Sequence, residues 1–299
     1  MSLNIAVFGL GSMGYGMARS CLRAGFTVYG VDVAAENVAR FVAEGGKGDP
    51  VAGVAGSLDA VVVGVLNAAQ VESVLFGEDG IGPRLAAGAL VMACATVPPE
   101  FARDMEQRCA AHGVHYLDAP ISGGSVRAAE GELSVMASGT AAAFDAARPV
   151  LDATAATVFP LGDAAGAGSA MKAVNQLLAG VHIATMAEAL TFGMAQGIRP
   201  ETFLEVITKC AGNSWMLENR TPHIVAGDYT PHSQVNIWPK DLGIVLEAAR
   251  SAGSHVPITE TALAQYTRAV DMGLGREDDA AVAKVYAQDA GLSLPGDEQ

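Results

Sequence analysis

Gly9, Gly11 and Gly14 form a G-x-G-x-x-G run, directly after the apolar stretch "IAVF" and directly before "MGYGMARSCLRAG". At a strand-to-helix turn this spacing has a physical use. The first glycine permits the tight turn, the second lets a pyrophosphate approach the backbone, and the third lets the helix pack on the strand with its N-terminal amides facing the anion. Leu10, Ser12 and Met13 supply the backbone between them. A second strand-like run, "TVYGVD", ends in Asp32, 18 positions beyond Gly14. A carboxylate there can bond both hydroxyls of a ribose and repel a 2′-phosphate. With no Arg or Lys within several residues of Asp32, the pattern predicts NAD rather than NADP. The plainer reading is a glycine-rich structural turn followed by an exposed aspartate.

Two further stretches could handle a small anion. "DAPISGGSVRAAEGELSVMASG", residues 118–139, is rich in small residues and backbone donors. Ser122 offers a hydroxyl, and the amides of Gly123 and Gly124 can approach a carboxylate without side-chain obstruction. In "GAGSAMKAVNQLL", Lys172 and Asn175 stand three residues apart, hence on one face of a helix. A lysine on an otherwise apolar helix face is either a proton-transfer group or a snorkelling cation. His182, about three turns further on, is a substrate contact or a satisfied core histidine. Arg127 either grips substrate or faces solvent. The six histidines show no HExxH or other ligand spacing, so no metal site is expected.

The elements that must position these groups follow from periodicity. Candidate strands are 5–8, 27–31, 60–66, 90–93, 114–117, 134–137 and 157–161, several of them continuous apolar runs that suit a parallel sheet covered on both faces. From Ser169 to about Gln196 the chain runs without proline, with Gly180 as the main interruption, and reads as one long helix. The segments beyond it also look helical. This predicts an α/β N-terminal domain, residues 1–162, and an all-α C-terminal domain, residues 163–299, joined by a long helix. The last residues, "SLPGDEQ", read as a frayed tail. The 299 residues, 51% apolar, suffice for two cores of ordinary size. A net charge of −14 argues against nucleic acid as a partner. Cys21, Cys94, Cys109 and Cys210 form no CxxC pair, and neither a signal peptide nor a long apolar run marks a membrane protein, so a cytoplasmic protein with reduced thiols is expected.

Taken together, "GLGSMGYGMA", "ATVPP", "DAPISGG", "GAGSAMKAVNQ" and the late "KDL" resemble, in order and over nearly the whole chain, the β-hydroxyacid dehydrogenase (3-hydroxyisobutyrate dehydrogenase-like) family. The resemblance implies a Rossmann domain followed by an all-helical domain, a small hydroxyacid substrate and a homo-dimer or homo-tetramer. It also implies Lys172 as the catalytic residue, Asn175 as its substrate-orienting partner, and Ser122, Gly123 and Gly124 as the carboxylate grip. Leu66, Thr96 and Lys240 match positions on the cofactor side. Ala95 replaces the family's usual serine, and Gln176 replaces the second residue of a frequent Asn-Asn pair. Family members that reduce imines lack the lysine, so its presence implies alcohol and carbonyl chemistry. Within the family, "NQLLAGVHIATMAEAL" and "AGNSWMLENRTPHIVAGDYTP" are most similar to the branch that oxidises L-threonate. Asn213, Ser214, Trp215, Asn219 and Arg220 form a polar cluster there, serving either a polyhydroxy substrate or helix capping and packing.

Overall fold

The computed structural model describes residues 2–48 and 51–297. The chain divides into two compact units, Met1–Lys172 and Ala173–Gln299.

The first unit alternates strands and helices. They are β1 (Asn4–Phe8), α1 (Ser12–Arg23), β2 (Thr27–Val31), α2 (Ala35–Ala43), β3 (Ala60–Val63), α3 (Ala68–Phe76), β4 (Leu90–Ala93), α4 (Pro99–Ala111), β5 (His115–Asp118), β6 (Ile121–Ser122), α5 (Gly124–Glu130), β7 (Leu133–Ala137), α6 (Ala141–Thr154) and β8 (Ala155–Pro160). α7 (Ala167–Ala195) then runs out of this unit into the next. Strands β2-β1-β3-β4-β5 form a fully parallel sheet in that order. Its central strands read "AVVV" and "LVMA" and are buried at every position, as expected where helices cover both faces. Successive residues feed opposite cores. Ile5, Val7, Val62 and Met92 pack with Met17 and Val150, whereas Ala6, Val61, Val63 and Val91 pack with Val71, Leu75 and Met105.

The chain leaves this pattern after β5. β6, β7 and β8 form a second sheet of three strands, with β6 antiparallel to β7 and β7 parallel to β8. Apolar runs located β7 and β8 in the sequence but carried no information on which sheet they join. β6, two residues long, is too short for any period to register.

The second unit is helical: α8 (Pro200–Ile207), α9 (Trp215–Ala226), α10 (Ile237–Ser251), α11 (Pro257–Asp271) and α12 (Ala283–Ala290) follow the rest of α7. Its core gathers Ile183, Met186, Leu190, Leu217, Ile224, Trp238, Leu242 and Tyr266. Gly180 does not interrupt α7. A Cβ there would meet Trp238 and Leu242 at 2.9 Å, so the glycine marks a close helix contact, and its carbonyl accepts from the Tyr266 hydroxyl at 2.8 Å. The end of the chain also departs from expectation. Leu294 is buried, its amide donates to Asp297 at 2.9 Å, and Gly296 packs on Gly227, so residues up to 297 are anchored rather than frayed. α7 is long and apolar enough by composition to cross a membrane, a feature that the core helix of a soluble protein shares.

Candidate active site

The glycine loop leaves β1 and enters α1 with each glycine in a distinct environment. Gly9 has φ +91°, and a Cβ there would lie 2.7 Å from the Gly64 carbonyl oxygen. A Cβ on Gly14 would lie 1.9 Å from the Gly9 carbonyl oxygen, so helix and loop touch through backbone alone. A Cβ on Gly11 would meet nothing within 4 Å. Gly11 is the N-cap of α1, no side chain caps that end, and no acidic residue lies in its first turn. The first amides of the helix, at Ser12, Met13 and Gly14, are the ones an α-helix leaves without internal acceptors. An uncapped helix start beside an open glycine suits a phosphate.

Asp32 lies just beyond β2. Its Oδ2 accepts from the Leu10 amide and its Oδ1 from the Ala34 amide at 2.8 Å, which ties the acidic residue to the glycine loop. Leu10 is itself fully buried, so its contribution to the loop is through the backbone. The nearest cation along the chain after Asp32 is Arg40, and its guanidinium sits 3.8 Å from the ring centroid of Tyr15. Tyr15 in turn donates to Glu44 at 2.8 Å. Leu66 and Thr96 lie in the segments that follow β3 and β4. The strand expected over 60–66 stops at Val63, so Leu66 is three residues past it, 55% exposed, with its amide bonded to Gln70 Oε1 at 2.8 Å. Gly9, Asp32, Leu66, Thr96 and Ser122 therefore all follow the carboxyl ends of parallel strands, where β1 stands between β2 and β3. The strand order reverses between β1 and β3, the topological switch point at which open α/β sheets bind ligands, and the loops after those two strands carry Gly9 and Leu66.

After β5 the chain turns through "DAPISGG". Ser122 is half-buried and pairs with Ser134 across β6 and β7. Gly123 and Gly124 follow with φ +132° and +78°, conformations that favour glycine, and a Cβ on Gly124 would meet nothing. The Arg127 side chain lies along Gly123, its Cδ 3.0 Å from where a Cβ would stand. Lys172 is 8% exposed, and its Nζ donates to the Ile121 carbonyl at 2.9 Å. The lysine thus points back to the turn that carries Ser122 to Gly124. Asp118, at the head of the same turn, is 1% exposed. Burial pushes its carboxyl above the ordinary range, opposed by hydrogen bonds from Ser169, Gly166 and Ser138. Sequence reasoning missed Asp118. Its signal, an acid ending an apolar strand, is the one that marked Asp32.

In the second unit, Asn175 Nδ2 donates to Gln176 Oε1 at 2.9 Å. Gln176 Nε2 donates to Asp241, and Asp241 pairs with Lys240. The family departure at Gln176 therefore has a structural function: the longer amide reaches a buried carboxylate on α10. The polar cluster behaves as a capping and packing set. Ser214 Oγ accepts from the Leu217 amide at 3.1 Å as the N-cap of α9, and Asn213 donates to Glu218. Asn219 accepts from Arg220, which is buried and paired with Asp279. Trp215 is 59% exposed. His182 lines a cavity of about 320 Å3 with Met186, Phe203, Asn213 and Leu217. Among the described residues, no group of three or more His, Cys, Asp or Glu side chains could hold a metal ion.

Residues 4–162 match the family described as the NAD binding domain of 6-phosphogluconate dehydrogenase, and residues 166–286 the family described as NAD-binding of NADP-dependent 3-hydroxyisobutyrate dehydrogenase. Over 297 residues, 99% of both chains, the sequence is 49% identical to L-threonate dehydrogenase of Cupriavidus necator. It is 37% identical over 99% of its length, and 98% of the relative's, to 2-(hydroxymethyl)glutarate dehydrogenase of Eubacterium barkeri. The crystal structure of 3-hydroxyisobutyrate dehydrogenase from Salmonella typhimurium is similar with TM-score 0.89 and 46% identity, covering 95% of this chain and 100% of that one. By these matches the chain belongs to the 3-hydroxyisobutyrate dehydrogenase-like family of β-hydroxyacid dehydrogenases, oxidoreductases that act on the CH–OH group of small hydroxyacids with a nicotinamide cofactor.

Proposed function

We propose that this enzyme oxidises L-threonate at C2 with NAD. The observation that carries the chemistry is the buried Lys172 side chain, bonded through Nζ at 2.9 Å to the carbonyl that leads directly into Ser122, Gly123 and Gly124. Relatives named L-threonate dehydrogenase, at 45–49% identity over nearly full length, support the choice of acid.

The glycine loop residues Gly9 to Gly14 hold the cofactor's pyrophosphate, Asp32 its ribose, and Leu66, Thr96 and Lys240 its remaining length. A nicotinamide held there would supply the hydride acceptor. Ser122 and the amides of Gly123 and Gly124 hold the substrate carboxylate, and Asn175 orients the carbinol. As the neutral amine, Lys172 Nζ accepts the hydroxyl proton during oxidation, and the ammonium so formed returns it during reduction. Its charge also stabilises negative charge developing on that oxygen. NAD is favoured over NADP because Asp32 would repel a 2′-phosphate and the nearby Arg40 is engaged with Tyr15. On this reading residues 1–162 carry most of the cofactor contacts and the Ser122–Gly124 grip, and residues 163–299 add Lys172, Asn175, Lys240 and the assembly surface. Exposed Met171, Val174, Leu178 and Phe192 along α7 suit a homo-dimer or homo-tetramer in the cytoplasm.

Initial rates with L-threonate, 3-hydroxyisobutyrate and tartronate semialdehyde, each with NAD(H) and NADP(H), test the assignment. L-Threonate with NAD should give the highest kcat/KM; a preference for another acid refutes the substrate. Lys172→Ala should lose turnover by about 10²–10⁴-fold while still binding NADH. Retained turnover refutes the proton-transfer role.

A further inference from the structure

We propose that Asp118 is the positioning residue of the active-site lysine, an inference that rests on the proton-transfer role given to Lys172. The carboxylate belongs to the last residue of β5 and is bonded on both oxygens. Its Oδ2 accepts from the Gly166 amide at 2.9 Å, the Ser169 amide at 2.8 Å and the Ser138 hydroxyl at 3.2 Å. Its Oδ1 accepts from the Ser169 hydroxyl at 2.7 Å. The Gly168 amide donates to Ser138 Oγ at 2.9 Å. The first turn of α7 is therefore capped from outside the helix, by the ends of β5 and β7. Such amides are otherwise unsatisfied, and here water does not reach them: Ser169 and Asp118 are each 1% exposed.

The arrangement has a direct consequence for Lys172. Ser169 and Lys172 are three residues apart on α7 and share a face. Ser169 is bonded to Asp118 and Lys172 to Ile121, and these partners flank the short turn between β5 and β6 that leads into Ser122, Gly123 and Gly124. The helix start is thus docked at two points on the loop that grips the substrate carboxylate. Gly168 permits the close approach, since a Cβ there would lie 2.4 Å from the Met136 carbonyl oxygen and 2.8 Å from that of Asp118. Removing the carboxylate leaves the lysine end of the clamp but frees the helix turn that aims it. Misplacement of a reacting group by about 1 Å can cost on the order of 100-fold in rate.

Asp118→Ala and Asp118→Asn, compared in the full-length enzyme, separate positioning from folding. Asparagine can set its carbonyl oxygen where Oδ2 accepts and donate from Nδ2 to the Ser169 hydroxyl, so the dock survives without its charge. Asp118→Ala should lower kcat by about 30–100-fold, with KM and the NADH Kd within about 3-fold of wild type. Hydrogen exchange should quicken in residues 166–172. Asp118→Asn should restore kcat to within about 5-fold of wild type. The proposal is overturned if Asp118→Ala keeps wild-type kcat, if Asn loses as much as Ala, or if KM and the NADH Kd rise in parallel with the loss of kcat. Should Asp118→Ala not fold, Ser169→Ala deletes the Oδ1 bond alone. It should lower kcat by about 3–10-fold at unchanged KM, and unchanged kcat overturns the proposal. An active Lys172→Ala would refute the lysine's role itself, whereas an inactive Lys172→Ala beside a fully active Asp118→Ala would refute only the inference.

Discussion

The same substitution, glycine to alanine, should have opposite effects at Gly11 and Gly14, although only two residues separate them. A methyl at Gly14 would sit 1.9 Å from the Gly9 carbonyl oxygen, where an ordinary contact needs about 3.4 Å, so α1 or the loop must give by more than 1 Å. Overpacking of this kind costs about 1–3 kcal/mol. Replacing a glycine inside a helix returns about 1 kcal/mol of propensity, and because the colliding atom is backbone the overpacking cost sits near the top of its range, leaving a net loss of about 1–2 kcal/mol. Gly11 is different. Its φ of −68° and ψ of −171° suit alanine, and the methyl would meet nothing within 4 Å. Folding stability of Gly11→Ala should stay within about 0.5 kcal/mol of wild type. The open space is where a pyrophosphate would approach, so NADH affinity should fall by about 10–100-fold, or about 1.4–2.8 kcal/mol. Thermal denaturation of the ligand-free variants and NADH fluorescence titration read the two quantities separately. Wild-type NADH affinity in Gly11→Ala would remove the second glycine from the pyrophosphate site. A wild-type Tm in Gly14→Ala would show that the close packing of helix on loop is unimportant for stability.

Other expectations can be checked independently. Asp32→Ser should reduce the preference of kcat/KM for NAD over NADP by about 10-fold or more; an unchanged ratio would contradict the ribose assignment. Burial pushes the thiols of Cys21, Cys94 and Cys109 up to about 12, whereas Cys210 is exposed. At pH 8, iodoacetamide and peptide mass spectrometry should find Cys210 alkylated first in the folded protein, with the other three protected until denaturation; rapid modification of Cys94 would contradict the buried core. Burial alone would push Asp278 up, but the His223 ring and the amides of Ala280 and His232 outweigh it and hold its carboxyl below 3.8. A depressed carboxylate contributes stability that is present above its unfolded value and lost as pH falls through its folded value. The Tm gap between wild type and Asp278→Asn should therefore narrow as pH drops below 3.8, and a constant gap would refute that linkage.

The sequence by itself determined the parts of this enzyme that depend on short spans of chain. The glycine loop was legible because its three steric demands fall within six residues. Asp32 was legible because it ends a recognisable strand, and α7 because its apolar content persists without proline. Lys172 was visible as a charge on that helix, although its choice between snorkelling and chemistry lay elsewhere. Tertiary structure decided the contacts that close over long separations. Lys172 meets the Ile121 carbonyl 51 residues away, Asp118 meets Ser169 at the same separation, and Gln176 meets Asp241 over 65. It also decided that β7 and β8 leave the main sheet and that the chain end packs on Gly227. The physical reason is common to all of these. Periodicity records which residues avoid water, and that preference is local. A buried carboxylate or ammonium is held by directional bonds whose partners are fixed only when the elements carrying them have docked.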